Sequence, residues 1–228
     1  MHLTIPPREL LRRFLRTALG MVIFAFGNYL TVQANIGQAP WNVLCQGISL
    51  HLPLSYGVST MLVSVMIVVT DVLLGEPIGL ATLMDAAMVG PLLDLFLYLD
   101  LVPVMENVWV GFVLMTVGMS FLALGQLVYM PAQFSCGPRA ALTVGVGKRL
   151  RQLPIGAVEI LIQTAACAVG WLIGGSVGLG TLWFALGNGF VMQAVFQLAR
   201  FEPRNLTHIG LHQMVARTER EGAEQPKE

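Results

Sequence analysis

Charged residues are scarce in this sequence. They make up 11% of its 228 residues, whereas an ordinary soluble domain has roughly a quarter. Hydrophobic residues make up 55%, and the mean hydropathy is +0.71. A chain with so few charges cannot cover its folded surface with groups that suit water. The composition therefore predicts an integral membrane protein.

Sequence motifs for catalysis, metal binding or redox chemistry are also missing. The three cysteines, Cys45, Cys136 and Cys167, lie in apolar surroundings without metal-ligand spacing, which is typical of buried, unreactive thiols. The glycine-rich stretch around Gly178 has no following basic residue and no βαβ context, so it predicts a tight turn and not a nucleotide loop. We expect no enzyme activity, no cofactor, no metal and no nucleic-acid partner.

Lysine and arginine are confined to three segments: four before Thr17, four in residues 139–151 and five from Arg200 onward. Six apolar runs have about 20 residues each, the length that crosses roughly 30 Å of hydrocarbon. They are residues 17–36, 54–74, 78–99, 107–129, 154–173 and 178–198. With six spans, all three basic segments lie on the side of the N-terminus, which the positive-inside rule makes cytoplasmic. An eight-span alternative is less favoured because it places Arg139 at the far end of a short span. We expect a multi-pass protein of the cell (inner) membrane with both termini cytoplasmic.

A short phrase occurs twice, as QAPWNVL at residues 38–44 and CGPRAAL at residues 136–142. Residues aligned by this repeat are called matched positions below. The register continues, with one inserted residue, through these pairs: Gly27/Gly125, Ala34/Ala132, Pro40/Pro138, Leu44/Leu142, Gly47/Gly145, Leu52/Leu150, Gly57/Gly156, Gly75/Gly174, Gly79/Gly178, Thr82/Thr181, Leu83/Leu182, Ala86/Ala185 and Gly90/Gly189. Repeats of this kind define the fold of a chain.

The repeat predicts an all-α fold of two inverted three-helix repeats, because three spans per half reverse the direction of the second half. The first half is residues 17–99 and the second is residues 107–199. Residues 1–16 form a basic cytoplasmic segment, and residues 200–228 form a partly disordered cytoplasmic tail. After each proline of the phrase, a helix of 13 or 14 residues reaches only about 20 Å, so it lies at the interface or re-enters the membrane.

The first phrase and its surroundings, QANIGQAPWNVLCQGISLHLPLSYG, resemble the YczE/YitT-type bacterial membrane proteins, whose first half reads like LGLGPWDVLHQGLS. In the second half, CGPRAAL is similar to the family's GPRDGL, and GWLIGGSVGLGTLWFAL is similar to its GWLLGGxxGxGTxxFA. The likeness covers about residues 8–200. It implies an integral membrane protein, and the family's biochemical activity is poorly defined.

The chain departs from the family pattern at several polar positions. Asn42 and Ala140 stand where the family phrases carry aspartate, and Cys45 stands where the family has histidine. Glu159 and Gln163 replace an arginine and a glutamate in the fifth span. The resemblance therefore implies a divergent member with altered specificity.

Polar groups inside apolar spans are costly, so they indicate candidate sites. Asn28 matches Gln126, and Asn35 matches Gln133, which is typical either of hydrogen bonds between helices or of a symmetric central site. The acids Asp85 and Asp94 lie in the third span and Glu159 in the fifth, whereas Asp71 is expected at the interface. Arg139 lies one residue after Pro138, where it either binds an anion or snorkels to lipid phosphates. The candidate substrate-binding residues are Asn28, Trp41, Asn42, Asp85, Gln126, Arg139 and Glu159.

Two functions fit this pattern. The first is a small secondary transporter, or channel-like permease, for a small solute at the interface of two inverted repeats, with Arg139 as the one residue that favours an anion. The second is a non-transporting membrane scaffold or regulatory partner of another protein. Small residues such as Gly170 and Gly174 favour helix association and a possible homo-oligomer under either hypothesis. A water-accessible cavity that reaches Asn28, Gln126 and Arg139 would favour transport.

Overall fold

In a computed structural model, the structure describes residues 7–76, 78–132 and 137–201, and these residues form eight α-helices, one short 3-10 turn and no strand. Six of the helices are long and apolar enough to cross a membrane. The helices are α1 (Pro7–Gln33), α2 (Pro40–His51), α3 (Tyr56–Leu74), α4 (Leu80–Leu99), α5 (Val108–Tyr129), α6 (Pro138–Arg149), α7 (Ile155–Leu172) and α8 (Leu179–Leu198). The prediction of an all-helical chain with six apolar spans and two short helices is confirmed.

The basic N-terminal segment is not separate from the first span. Helix α1 runs without interruption from Pro7 to Gln33, because no proline or glycine interrupts its first three turns and Glu9 pairs with Arg13 one turn on, at 3.1 Å. The expected tail from residue 202 onward, Cys136 and Gln133 lie outside the described residues.

Helices α1 and α5 cross closely at the centre of the molecule, through glycines. Gly20 lies against Gly125, and Gly27 lies against Gly118, so the contact on α5 moves backward as α1 advances. The two helices are therefore antiparallel. Small residues let two backbones approach in this way, and here they form the main contact between the two halves.

The connections between helices gather at two ends of the bundle. At one end, the backbone N–H of Gly180 donates to Ile36 at 2.7 Å and that of Met105 donates to Gln33 at 2.9 Å. At the other end, the Lys148 ammonium pairs with the Glu76 carboxylate at 2.7 Å. Helix α2 ends in the first group of loops and α6 in the second. The grouping agrees with the two membrane sides that the basic residues predict.

Two pairs of long helices pack differently. In the first half, α3 and α4 meet at Gly57 and Gly90, and an added Cβ at either residue would clash with the other's carbonyl oxygen. In the second half, the matched glycines Gly156 and Gly189 have open space around them. Helices α7 and α8 are instead separated by a groove of about 440 Å³.

Candidate functional site

The two repeated phrases meet inside the bundle. Helix α2 begins at Pro40 and α6 at Pro138, and the next residue of each, Trp41 and Arg139, lies against the other. The guanidinium carbon of Arg139 is 5.6 Å from the centre of the Trp41 ring, a cation–π distance. The side chains of the first turns of the two short helices therefore meet, while the C-terminal ends of these helices belong to opposite ends of the bundle.

In neither short helix does the N-cap residue cap the first turn with its side chain. The residues before the prolines are Ala39 and Gly137, and neither supplies a side-chain acceptor. The first N–H groups of a helix have no partner within the helix and carry the positive end of its dipole. Two such ends and the charge of Arg139 therefore concentrate positive potential at one place.

Several buried polar atoms at this place have no hydrogen-bond partner among the described residues. The Asn42 amide donates to the Asn28 carbonyl oxygen at 3.1 Å. The other half of each amide, Asn28 Nδ2 and Asn42 Oδ1, is unpartnered, as is Arg139 Nε. Asn28 and Asn42 are only 2% and 1% exposed. Buried polar atoms are nearly always bonded, so these three atoms are candidates for contact with a polar ligand or water.

The charge of Arg139 acts on three neighbouring groups: the thiol of Cys45, the hydroxyl of Tyr56 and the carboxyl of Asp85. Among the described residues, no carboxylate lies within 4.0 Å of Arg139, so it has no ion-pair partner there. Burial raises the pKa of the Cys45 thiol, and the Arg139 charge offsets this only in part. Cys45 is thus held as an inert thiol, as its apolar surroundings predict.

The hydroxyl of Tyr56 extends this cluster. It donates to the backbone oxygen of Asn42 at 3.2 Å and lies 3.5 Å from the side-chain oxygen of Gln38. Tyr56 is the first residue of α3, so it connects that helix to the first turn of α2. The resulting central cluster consists of Asn28, Gln38, Trp41, Asn42, Tyr56 and Arg139.

Of the seven residues chosen from the sequence, four lie in the central cluster: Asn28, Trp41, Asn42 and Arg139. Asp85 is linked to them by the charge of Arg139. The structure places Glu159 on an exposed face of α7, where its carboxylate accepts from Gln163 at 3.1 Å. Gln126, half-buried on α5, makes no hydrogen bond through its side chain within the described residues.

Sequence reasoning missed Tyr56 and Gln38, although Gln38 opens the first phrase. The structure adds the exposure of two acids: Asp71, expected at the interface, is 1% exposed, and Asp85 is half-buried. Asp71 lies on the same helical stripe as the buried residues Thr60, Ser64 and Ile67, at intervals of three and four. That periodicity could have identified it, because it defines the inner face of α3.

Two of the cavities in the described part of the chain bear on access to the central cluster. One, of about 260 Å³, is lined by Arg12, Arg13 and Arg16 at the start of α1. The other is the groove between α7 and α8. Neither is lined by Asn28, Gln126 or Arg139, so neither opens the central cluster to water.

These features define a multi-pass helical membrane protein with a polar, positively charged centre. The family of unknown function DUF6198 matches residues 11–197, and the chain belongs to this family.

Curated relatives agree with this assignment. An uncharacterized protein of Haemophilus influenzae is 30% identical over 171 residues, which cover 75% of this chain and 77% of the relative. The uncharacterized membrane protein YczE of Bacillus subtilis is 24% identical over 191 residues, or 82% and 86% of the two chains. YyaS of the same organism is 25% identical over 183 residues, or 79% and 90%. The resemblance to YczE-type proteins is thereby confirmed. No solved structure matches the chain.

Proposed function

We propose that this protein is a small secondary transporter built from two inverted repeats, with a binding site for a small anionic solute in the central cluster. The observation that carries the proposal is the meeting of Trp41 and Arg139, at matched positions, with buried unpartnered polar atoms beside them. Transporters with inverted repeats commonly bind their substrates where interrupted or short helices meet near the middle of the membrane.

Contacts between matched positions support the inverted repeats. Gly20 matches Gly118, and Gly27 matches Gly125. Exchange of the two halves therefore turns the contact of Gly20 with Gly125 into the contact of Gly118 with Gly27, which is also observed. The same holds away from the centre, where Gly47 lies against Ile173 and its match, Gly145, lies against Leu74. A two-fold axis between α1 and α5 accounts for all of these contacts.

The short helices behave as re-entrant half-helices under this proposal. Each begins in the central cluster and runs outward to its own end of the bundle, so the positive ends of both dipoles point at one site. Such ends suit the anionic group of a substrate. Arg139 adds a planar fork of donors that fits a carboxylate or a phosphate.

The different packing of the two halves gives a physical basis for alternating access. The α3–α4 pair is closed at Gly57 and Gly90, whereas the α7–α8 pair is open at the matched glycines. If the halves exchange these states, the first pair opens as the second closes. The central cluster is then exposed alternately to the two sides of the membrane.

A scaffold remains the second candidate function, and one observation favours it: neither cavity described above reaches Asn28, Gln126 or Arg139. A membrane partner that binds no solute would have a closed centre of this kind. The two functions differ in what the central cluster does, which makes Arg139 the residue to change.

The test is ligand-induced thermal stabilisation of the purified protein by a panel of small carboxylates and phosphates. We expect at least one compound to raise the apparent melting temperature of the wild type. Arg139→Lys should reduce this shift because lysine keeps the charge and loses the planar fork, and Arg139→Gln should abolish it. Arg151→Gln, in the exposed turn after α6, controls for nonspecific binding of anions.

Uptake of any stabilising compound into proteoliposomes then separates transport from binding alone. A scaffold would give no stabilisation and no uptake in a well-folded wild type. Stabilisation that survives in Arg139→Gln at normal yield would place the binding site elsewhere.

A further inference from the structure

We propose that Asp71 is a proton-binding site in the contact between α3 and α6. Its side chain is 1% exposed, and neither carboxyl oxygen has a hydrogen-bond partner within the part of the chain that the structure describes. Asp94 differs, since its carboxylate accepts from the backbone N–H of Gly57 at 2.7 Å and from the Ser55 hydroxyl. Asp71 is thus a buried acid without the donors that would stabilise its charge.

No cation among the residues that the structure describes is paired with Asp71. Glu76 lies in the turn after α3, where its backbone N–H donates to the backbone oxygen of Asp71 at 2.9 Å, and like charges repel. The Lys148 ammonium of α6 is already bound by both oxygens of Glu76, at 2.7 and 2.8 Å. Arg149 donates to the backbone oxygen of Leu74 at 3.4 Å. Among the described residues of α4, Asp85 is the acid nearest to the end of the bundle where Asp71 lies. Helix α2 ends at the opposite end of the bundle.

Binding of a proton to Asp71 removes this unfavourable buried charge. An ionised carboxylate that is buried without partners is strongly disfavoured, whereas the neutral acid carries no charge and needs only modest solvation. Glu76 disfavours the ionised form further while it keeps Lys148 occupied. The closed α3–α6 contact therefore holds Asp71 as the neutral acid. Separation of the two helices exposes the carboxyl group to water, and its proton passes to water on that side.

The matched position in the second half shows that this acid belongs to one half only. It is Gly170, which lies directly against the backbone of Val43 and Leu44 in α2. The α7–α2 contact is thus closed by backbone packing, and the α3–α6 contact contains an ionisable group instead. Because α6 begins at the central cluster, movement of α6 links Asp71 to Arg139. If the proposed transport function holds, on which this step rests, the proton is the coupling ion.

The proton site is tested without any solute, by infrared spectroscopy of the full chain in lipid vesicles. We expect the wild type at neutral pH to show the carbonyl stretch of a protonated carboxyl group, which disappears at high pH. Asp71→Asn should lose this component of the spectrum. Asp100→Asn, at an exposed position at the other end of the bundle, should keep it, and Asp85→Asn separates the contribution of the other candidate acid.

Thermal stability as a function of pH gives a second readout. The folded chain holds a proton that the unfolded chain releases near neutral pH, so the stability of the wild type falls as pH rises. The unfolding equilibrium should change by up to tenfold per pH unit, the limit for one proton. Asp71→Asn should weaken this dependence by the share of one proton while it retains the fold, and Asp71→Val gives a second neutral variant.

A wild-type spectrum without a protonated carboxyl band, or a band unchanged in Asp71→Asn, would overturn the proposal. These outcomes do not involve Arg139. Failure of the anion-binding test with a normal Asp71 band would count against the transporter alone, and the reverse result would count against the proton site alone.

Discussion

The two halves of the molecule have the same order of helices. They differ in how tightly α3 and α4, in the first half, and α7 and α8, in the second, are packed. In the most apolar windows of α3 and α4, 39% of the residues are buried, against 17% for α7 and α8. The halves use the same phrase, the same short helix and the same turn glycines, since Gly75 and Gly174 both adopt positive φ, 77° and 87°. Residues that set the backbone conformation therefore account for the order of helices that the halves share. The packing difference must come from the side chains that are not shared.

Two matched positions account for that difference in physical terms. Asp94 ties α4 to the start of α3 through the Gly57 backbone and Ser55, which itself caps α3 through its side chain. The matched residues of the second half are Gln193, which is exposed, and Pro154, which has no capping side chain. Hydrogen bonds to Asp94 thus hold α3 and α4 together at one end. The matched residues of α7 and α8 do not form equivalent bonds among the described residues.

The largest expected effect is the opposite sidedness of the two short helices. His51 and Arg149 are matched, exposed residues near the ends of α2 and α6. In a background without native cysteine, His51→Cys and Arg149→Cys should react with a membrane-impermeant thiol reagent from opposite sides only. The reason is that an odd number of spans separates the two helices. Labelling of both from the same side would contradict the inverted repeats.

The next effect concerns the glycines of the two helix pairs. Gly57→Ala or Gly90→Ala should destabilise the protein by at least about 2 kcal/mol, because the added methyl group meets a backbone oxygen and must separate α3 from α4. The measurement is the apparent melting temperature in detergent.

Gly156→Ala and Gly189→Ala are the matched controls. Both positions have open space, so alanine should leave stability unchanged or raise it by up to about 1 kcal/mol through its better helix propensity. Equal damage in both halves would show that α7 and α8 close against each other in the resting protein. The difference between the halves would then be lost.

Much of this architecture could be predicted from the sequence. All six spans were placed to within three residues at each end, apart from α1, which begins ten residues earlier than residue 17. Hydrophobic length and the repeat suffice for this, because both are local properties of the chain. The contact between Trp41 and Arg139 was not predictable, since it depends on how deeply two short helices enter the bundle. The burial of Asp71 was likewise hidden by its place near the end of a span.

The smallest expected effect concerns the hydrogen bonds that Asp94 accepts from Gly57 and Ser55. Asp94→Ala removes the acceptor of the Gly57 N–H and of the Ser55 hydroxyl, and hydrogen bonds to a charged group contribute about 1.5–3 kcal/mol each when buried. Asp94 is only half-buried, so we expect a loss of about 1–2 kcal/mol. Gln193→Ala, at the matched exposed position, should change stability by less than about 0.5 kcal/mol. Thermal unfolding of the two variants in the same detergent gives the comparison.

Hydrogen exchange at the first turn of α3 should also increase in Asp94→Ala alone, because that turn loses its link to α4. If both variants lose stability equally, the closed packing of α3 and α4 depends on their apolar contacts and not on Asp94.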